Sequence, residues 1–325
     1  MDIEVVKPGL ATTVQDLGRP GYYHLGIPES GGMDRLALRT ANLLVGNVEG
    51  AAVLEATFQG PELRFGADAL VAVTGAEMPP RVDGEPHPTL TAFEVKAGQT
   101  LDFGFLRSGA RAYIAVAGGI DVPVVLGSRS TYALGALGGH EGRKLAAGDV
   151  LPVGMPATRA RPGRFVPADL RRPVENPARL RVLPGLYDFR VTPAVLERFF
   201  EDTWRVATEA DRIGYRFRGG HPLEFIPRKQ PFGAGSDPSN IVDSCYPYGS
   251  VQIPGGTEPI VLHRDAVSGG GYFMIGTVIS ADMDLIGQMQ PNVHVRFTAV
   301  EMPVALAARR AEVDRLAALR GYLAQ

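Results

Sequence analysis

Cysteine is nearly missing from this 325-residue chain. Cys245 stands alone, so no disulfide can form within it. Lysine is scarce too: Lys7, Lys96, Lys144 and Lys229 are the full set, and the other 29 basic residues are arginine. We attribute that bias to a GC-rich bacterial genome. Charge of one sign is also lacking. Thirty-three basic residues face 35 acidic ones, for a net charge of −2, which leaves no basic excess for a nucleic-acid partner. No 18-residue apolar stretch exists, so no membrane-spanning helix is expected. The opening Met1–Gly9 lacks the basic start and apolar run of a secretory signal, and the cytoplasm is the expected location.

Recognisable catalytic signatures are missing as well. The histidines are His24, His87, His140, His221, His263 and His294. No two show the i, i+4 spacing of a helical zinc site, and no cysteine pair joins them, so no metal is expected. There is no Gly-x-Ser-x-Gly elbow between a strand and a helix. The glycine-rich stretch from Gly135 ends in Gly142-Arg143-Lys144 and misses the Walker spacing, so it reads as a surface hairpin loop. Cys245 has no evident basic neighbour to activate it and reads as a passive thiol.

What is abundant is turn chemistry. Glycine (40) and proline (26) make up about a fifth of the chain and separate short apolar runs. That rhythm predicts many short strands, an all-β chain with a few short helices. Expected strands include Leu70–Val73, Ala112–Ala117, Leu180–Leu183, Ser250–Ile253, Pro259–His263 and Val293–Phe297. Several are continuous apolar runs and should be buried on both faces. Helices are expected at Asp34–Val45, capped by Asp34, at Thr192–Asp202, opened by Thr-Pro, and from Pro303 to Leu323. A Pro- and Arg-rich stretch at 156–178 reads as a linker between an N-terminal domain, 1–155, and a C-terminal domain with its terminal helix, 179–325. Lys96-Ala-Gly-Gln-Thr-Leu101 echoes Ala146-Ala-Gly-Asp-Val-Leu151, and Gly118-Gly119 echoes Gly269-Gly270-Gly271. Such echoes suggest a duplicated β unit.

Carboxylates at the ends of elements are the best chemical candidates. Asp34 follows Gly31-Gly32-Met33, where it could be a helix cap or a functional group. Asp265 follows an apolar strand and precedes Ser268 and the glycine run, whose backbone N–H groups could approach an anion or simply form a tight turn. Asp282 and Asp284 read as a cap and an exposed face.

Taken together, longer segments resemble the family called allophanate hydrolase subunit 2, the C-type subunit of 5-oxoprolinase, or biotin-dependent carboxyltransferase. They run from Pro8-Gly9-Leu10-Ala11-Thr12-Thr13-Val14-Gln15-Asp16-Leu17-Gly18-Arg19-Pro20-Gly21 through Ser30-Gly31-Gly32-Met33-Asp34, Glu55 and Gly127-Ser128-Arg129-Ser130-Thr131-Tyr132. In the second half they include Asp211-Arg212-Ile213-Gly214-Tyr215-Arg216, Val251-Gln252-Ile253-Pro254 and Ile275–Asp282. The resemblance implies two cyclophilin-like β-barrel domains in tandem.

It further implies a subunit of an ATP-dependent 5-oxoprolinase that opens 5-oxoproline to glutamate. The alternatives are the carboxyltransferase subunit of a biotin-dependent urea or amide carboxylase, or a non-enzymatic regulatory partner of a kinase-inhibitor-like protein. The enzyme readings expect activity only beside a companion of the allophanate hydrolase subunit 1 kind, the B-type subunit of 5-oxoprolinase. ATP is expected, bound here or by that partner. No lysine lies between two methionines, the usual biotinylation context, so biotin would arrive on another chain.

Two departures from the family pattern stand out. Asp265-Ala266-Val267-Ser268-Gly269-Gly270-Gly271-Tyr272 replaces the usual Asp-Gly-Gln-Thr-Thr-Gly-Gly-Tyr, and Phe232–Tyr248 is longer than expected. The expected site combines Asp265 and Asp34 as catalytic groups with Met33, Arg129, Ser130, Tyr132, Gln252, Ser268, Gly269, Gly270, Gly271 and Tyr272 around the substrate. On this reading Asp265→Asn should cut turnover about 10²-fold with little loss of stability.

Overall fold

The computed structural model describes residues 1–156, 158, 160–172 and 178–324. Positions 157, 159 and 173–177 of the expected connector lie outside the described residues. Two compact units divide the chain: Met1–Pro20, Glu29–Arg171 and Asp314–Gln325 form unit 1, and Gly21–Pro28 and Arg172–Val313 form unit 2.

Unit 1 is built on β1 (Asp2–Lys7), β2 (Ala11–Gln15), β3 (Val53–Thr57), β4 (Glu62–Phe65), β5 (Ala69–Glu77), β6 (Pro80–Val82), β7 (Glu85–Pro86), β8 (Ala92–Val95), β9 (Thr100–Phe103), β10 (Ser108–Val116) and β11 (Val150–Pro152). They form a six-stranded sheet, β11-β1-β4-β9-β6-β7, and a five-stranded sheet, β2-β3-β10-β5-β8. Side chains alternate across a strand, which explains the continuous apolar runs. Along β10, Ala112, Ile114 and Val116 enter the core shared by the two sheets, with Ile3, Leu63, Phe65 and Leu101. Tyr113 and Ala115 face the other way, against helix α1 (Arg35–Leu44) and its Leu38, Ala41 and Leu44. β5 repeats this pattern with Val71 and Val73 on one face and Ala72 on the other. Asp34 caps α1: its Oδ1 accepts the Ala37 N–H at 2.9 Å.

Unit 2 contains β12 (Ala178–Pro184), β13 (Trp204–Val206), β14 (Gly214–Arg218), β15 (Asn240–Cys245), β16 (Ser250–Gln252), β17 (Ile260–Leu262), β18 (Gly269–Tyr272), β19 (Met274–Val278) and β20 (His294–Ala299). Seven of them close a barrel in the order β12-β19-β16-β17-β14-β13-β20. The closing β12–β20 pair is parallel and the other pairs in the barrel are antiparallel. Helix α2 (Pro193–Glu201) starts as the Thr-Pro pair predicts, with Thr192 as the cap. It delivers Phe199 to an aromatic cluster in which the Phe297 ring lies 5.2 Å from Phe199, 5.2 Å from Phe217 and 6.4 Å from Trp204. Emptying such a site by Phe→Ala costs about 3–5 kcal/mol.

β15 and β18 form a separate two-stranded ribbon. The short α3 (Met283–Ile286) precedes β20, and α4 (Met302–Leu323) ends the chain. Along α4, Leu316, Leu319 and Leu323 are buried, whereas Leu306 and Val313 are exposed. No helix among the described residues is long and apolar enough to cross a membrane.

Candidate functional site

In unit 1 the expected site residues are tied into two polar networks. Asp16, at the end of β2 and its following turn, gathers four donors: the Gly18 N–H (2.8 Å), the Ser128 and Ser130 hydroxyls (2.6 and 2.5 Å) and the Arg129 N–H (2.6 Å). The Ser130 hydroxyl also accepts the Asp16 N–H at 2.9 Å. The guanidinium of Arg129 is held by the Val122 carbonyl and by Asp121 at 2.7 Å. Tyr132 bridges to Leu137 through its backbone.

The second network lies beneath Met33 and Asp34. The Oε2 of Glu55 accepts the Met33 N–H and the Tyr113 hydroxyl, both at 2.8 Å, and the Tyr113 oxygen accepts the Asp34 N–H at 2.7 Å. Arg111 lies 3.8 Å from Glu55, with both side chains buried. Burial, then the Glu55 and Asp34 charges, push the Tyr113 hydroxyl well above its ordinary range. It therefore stays a neutral donor, and its role is to hold the start of α1.

In unit 2 the expected residues surround the ribbon. Asp265 is buried and forms a bidentate ion pair with Arg212, at 2.8 and 3.3 Å, and its N–H donates to the Arg212 carbonyl. That pairing clamps the Asp211–Gly214 turn, where the Asp211 carboxylate accepts two further backbone N–H groups. An amide cannot keep an ion pair, so the expectation that Asp265→Asn spares stability does not survive. Asp282 stands at the expected cap position of α3, but its carboxylate makes no cap bond: it is buried and takes three bonds from Arg181, at 2.6 to 3.0 Å.

Gly269, Gly270 and Gly271 form strand β18 rather than a concave N–H nest. Cys245 pairs with Gly269 and Ser244 with Gly270. Small size is needed here because a Cβ on Gly270 would lie 3.1 Å from the Tyr246 ring, and one on Gly271 3.0 Å from the Ile241 carbonyl.

Tyr246 pins this ribbon. Its oxygen accepts the Tyr272 N–H at 2.8 Å and lies 2.8 and 2.6 Å from the Gly270 and Tyr272 carbonyls. Burial raises its hydroxyl above the usual range, against the pull of the Tyr272 N–H and the neighbouring Gln252 side chain. Gln252, at the end of β16, is 8% exposed. Ser268 donates to the Tyr23 carbonyl at 3.3 Å, and its own carbonyl takes the Tyr246 N–H. Next to Asp265, His263 is fully buried. Its Nδ1 accepts the Arg264 N–H, so the proton sits on Nε2 and is donated to the Met283 carbonyl at 3.0 Å.

Unit 2 therefore offers a buried carboxamide, a neutral phenol and a clamped carboxylate around one ribbon. Sequence reasoning passed over Tyr246, Tyr113 and His263. A lone polar residue inside an apolar strand, as Glu55 is in Val53–Thr57, was the available signal for the buried network. No group of His, Cys, Asp or Glu among the described residues could hold a metal ion.

The family model for the carboxyltransferase domain, subdomain A and B, matches residues 25–299. The C-type subunit of 5-oxoprolinase from Escherichia coli (strain K12) is 36% identical over 308 residues, covering 95% of this chain and 94% of that one. The urea amidolyase of Lachancea kluyveri is also 36% identical, over 93% of this chain but 17% of its own length. The chain therefore spans about a sixth of that amidolyase. The crystal structure of the Kluyveromyces lactis urea carboxylase superposes with a TM-score of 0.91 at 32% identity, over 98% of this chain and 29% of that one.

Proposed function

Because the chain belongs to the carboxyltransferase domain family, whose relatives are enzyme subunits, we propose that it serves as the C-type subunit of an ATP-dependent 5-oxoprolinase in the cytoplasm. In this role it binds the lactam that is opened to glutamate. The extent of the match carries this reading: 94% of the Escherichia coli C-type subunit is covered.

We place the lactam beside Gln252. A lactam presents its C=O and N–H on one edge, and a carboxamide side chain has donors and an acceptor that can meet both. Held at a strand end beside Tyr246 and largely buried, Gln252 is restricted before substrate arrives, so less freedom is lost on binding. Tyr246, Ser268 and the Arg212–Asp265 pair fix the ribbon and turn around it. Met33 and Asp34, with Arg129, Ser130 and Tyr132, hold the polar networks of unit 1.

Two glycine-rich segments of this chain already spend backbone N–H groups internally, which supports placing nucleotide elsewhere. In the 135–144 loop the Gly139 and Gly142 N–H groups donate to the Arg129 and Gly138 carbonyls, and Gly269–Gly271 are paired with β15. We assign ATP to a companion of the B type.

A second reading, transfer of a carboxyl group from biotin carried on another chain to a urea-like amide, draws support from the likeness to urea carboxylase. The test is to purify the chain alone and with companion subunits encoded beside it. ATP-dependent glutamate release from 5-oxoproline by the complex, and none by either part, is the expected result. Carboxylation of urea by a complex that leaves 5-oxoproline untouched would overturn the proposal.

A further inference from the structure

Two arginines of unit 2 meet without a carboxylate between them. Arg190 ends the turn Asp188–Arg190 and is 3% exposed. Its guanidinium donates to the Asn240 carbonyl at 3.3 Å and to the Pro238 carbonyl, and it stands 5.7 Å from the centre of the Phe225 ring. Arg228 is exposed. It donates to the same Asn240 carbonyl at 3.2 Å and to the Gln230 side chain at 3.1 Å.

Neither guanidinium is paired with a carboxylate among the described residues. The Asp237 and Asp188 carboxylates accept the Ser239 and Phe189 N–H groups. Burial, then the Arg228 charge, lower the affinity of Arg190 for its proton. An arginine nevertheless stays charged. Two like charges sharing one neutral acceptor, one of them desolvated, repel each other, and an anion would relieve that repulsion.

The position of the pair gives it a use. Tyr187, which opens the Arg190 turn, packs against Tyr246, Leu262, Ala266 and Met274. One short turn, 187–190, thus carries both a contact with the Tyr246 cluster and the buried arginine.

We propose that Arg190 and Arg228 form a carboxylate subsite, in which Arg228 contacts the carboxylate of a small amide substrate and buried Arg190 adds its charge from behind. This deepens the reading of the previous subsection and rests on it. It makes the site selective for an amide that carries a carboxylate, as 5-oxoproline does, over a neutral one such as urea.

The test is calorimetric titration of the purified chain with 5-oxoproline, with 2-pyrrolidinone, which is the same ring without the carboxylate, and with glutarate. R228Q alters an exposed side chain and should fold. Losing a charge-assisted bond should weaken 5-oxoproline by about tenfold or more, leave 2-pyrrolidinone unchanged, and be partly rescued in R228K. Equal binding of 5-oxoproline by wild type and R228Q would overturn the subsite and leave the lactam reading standing. Glutarate binding that depends on Arg228, with no lactam bound, would sustain the anion site and sink the lactam reading. Absence of binding by all three would overturn both.

Discussion

Asp265→Asn tests the assignment of unit 2 most sharply. In the native chain the Asp265 carboxylate meets Arg212 at 2.8 and 3.3 Å, with side-chain exposures of 8% and 20%. Removing one member of a fully buried pair costs about 3–5 kcal/mol, because the other charge stays buried and unpaired. Arg212 is a fifth exposed, so water recovers part of that, and we expect a loss of about 2–3 kcal/mol. The assay is built into the chain. Trp204 is its single tryptophan, fully buried in the barrel of unit 2, so its fluorescence during urea unfolding reports on the unit that holds Asp265. The midpoint should fall with little change in slope. Arg212→Gln alone should destabilise as well. The double variant should lose less than the two single losses together, with a coupling of about 1–3 kcal/mol. Additive losses, or a single loss below about 0.5 kcal/mol, would refute the clamp. Turnover per folded molecule in the reconstituted complex then separates the roles: a roughly 10²-fold drop beyond the unfolded fraction marks direct chemistry.

Other expectations follow from the same geometry. Tyr113→Phe strips one donor from Glu55 and leaves the buried Asp34 N–H without its acceptor, so unit 1 should lose about 2–4 kcal/mol by calorimetry, with the Trp204 transition unmoved. Gly271→Ala should press a methyl against the Ile241 carbonyl and loosen the ribbon, seen as faster hydrogen exchange of the Asn240–Cys245 amides; unchanged exchange would contradict the close approach. Bonding to Arg143 lowers the Asp149 carboxyl from 3.8 to about 2. A depressed carboxyl stabilises above its unfolded value, so that contribution should be present at pH 5 and vanish between about pH 4 and 2. Asp149→Asn should flatten the acid limb of unit 1 stability in that window.

Much of the fold was legible because its rules are local. Short apolar runs between turn residues located β10 and β12, and the Asp34 and Thr192 caps located α1 and α2 within a residue. The family resemblance, together with turn density, pointed to the all-β architecture. The site was harder to read, since its meaning lies in partners distant in sequence. Nothing near Asp265 announces that Arg212, 53 residues earlier, will pair with it, and Asp282 looks like a plain cap until Arg181 is placed beside it. The glycine run misled for a related reason. Glycines serve a turn, an anion nest or a close-packed strand equally well, and only the Tyr246 ring and the Ile241 carbonyl show which applies.

The make-up of unit 1 bears on when it can fold. Leu319 and Leu323 of α4 share a core with Leu38, Ala41 and Leu44 of α1, and Arg320 reaches Glu49. During synthesis, strands β1 to β11 leave the ribosome long before those leucines exist. Unit 1 must therefore wait, with the outer face of α1 partly bare, until α4 itself emerges. All of unit 2, Gly21–Pro28 and Arg172–Val313, is by then already translated. A premature stop at Ala308 would spare every strand of the fold, yet it would leave this first-made unit unfinished and open to capture by chaperones.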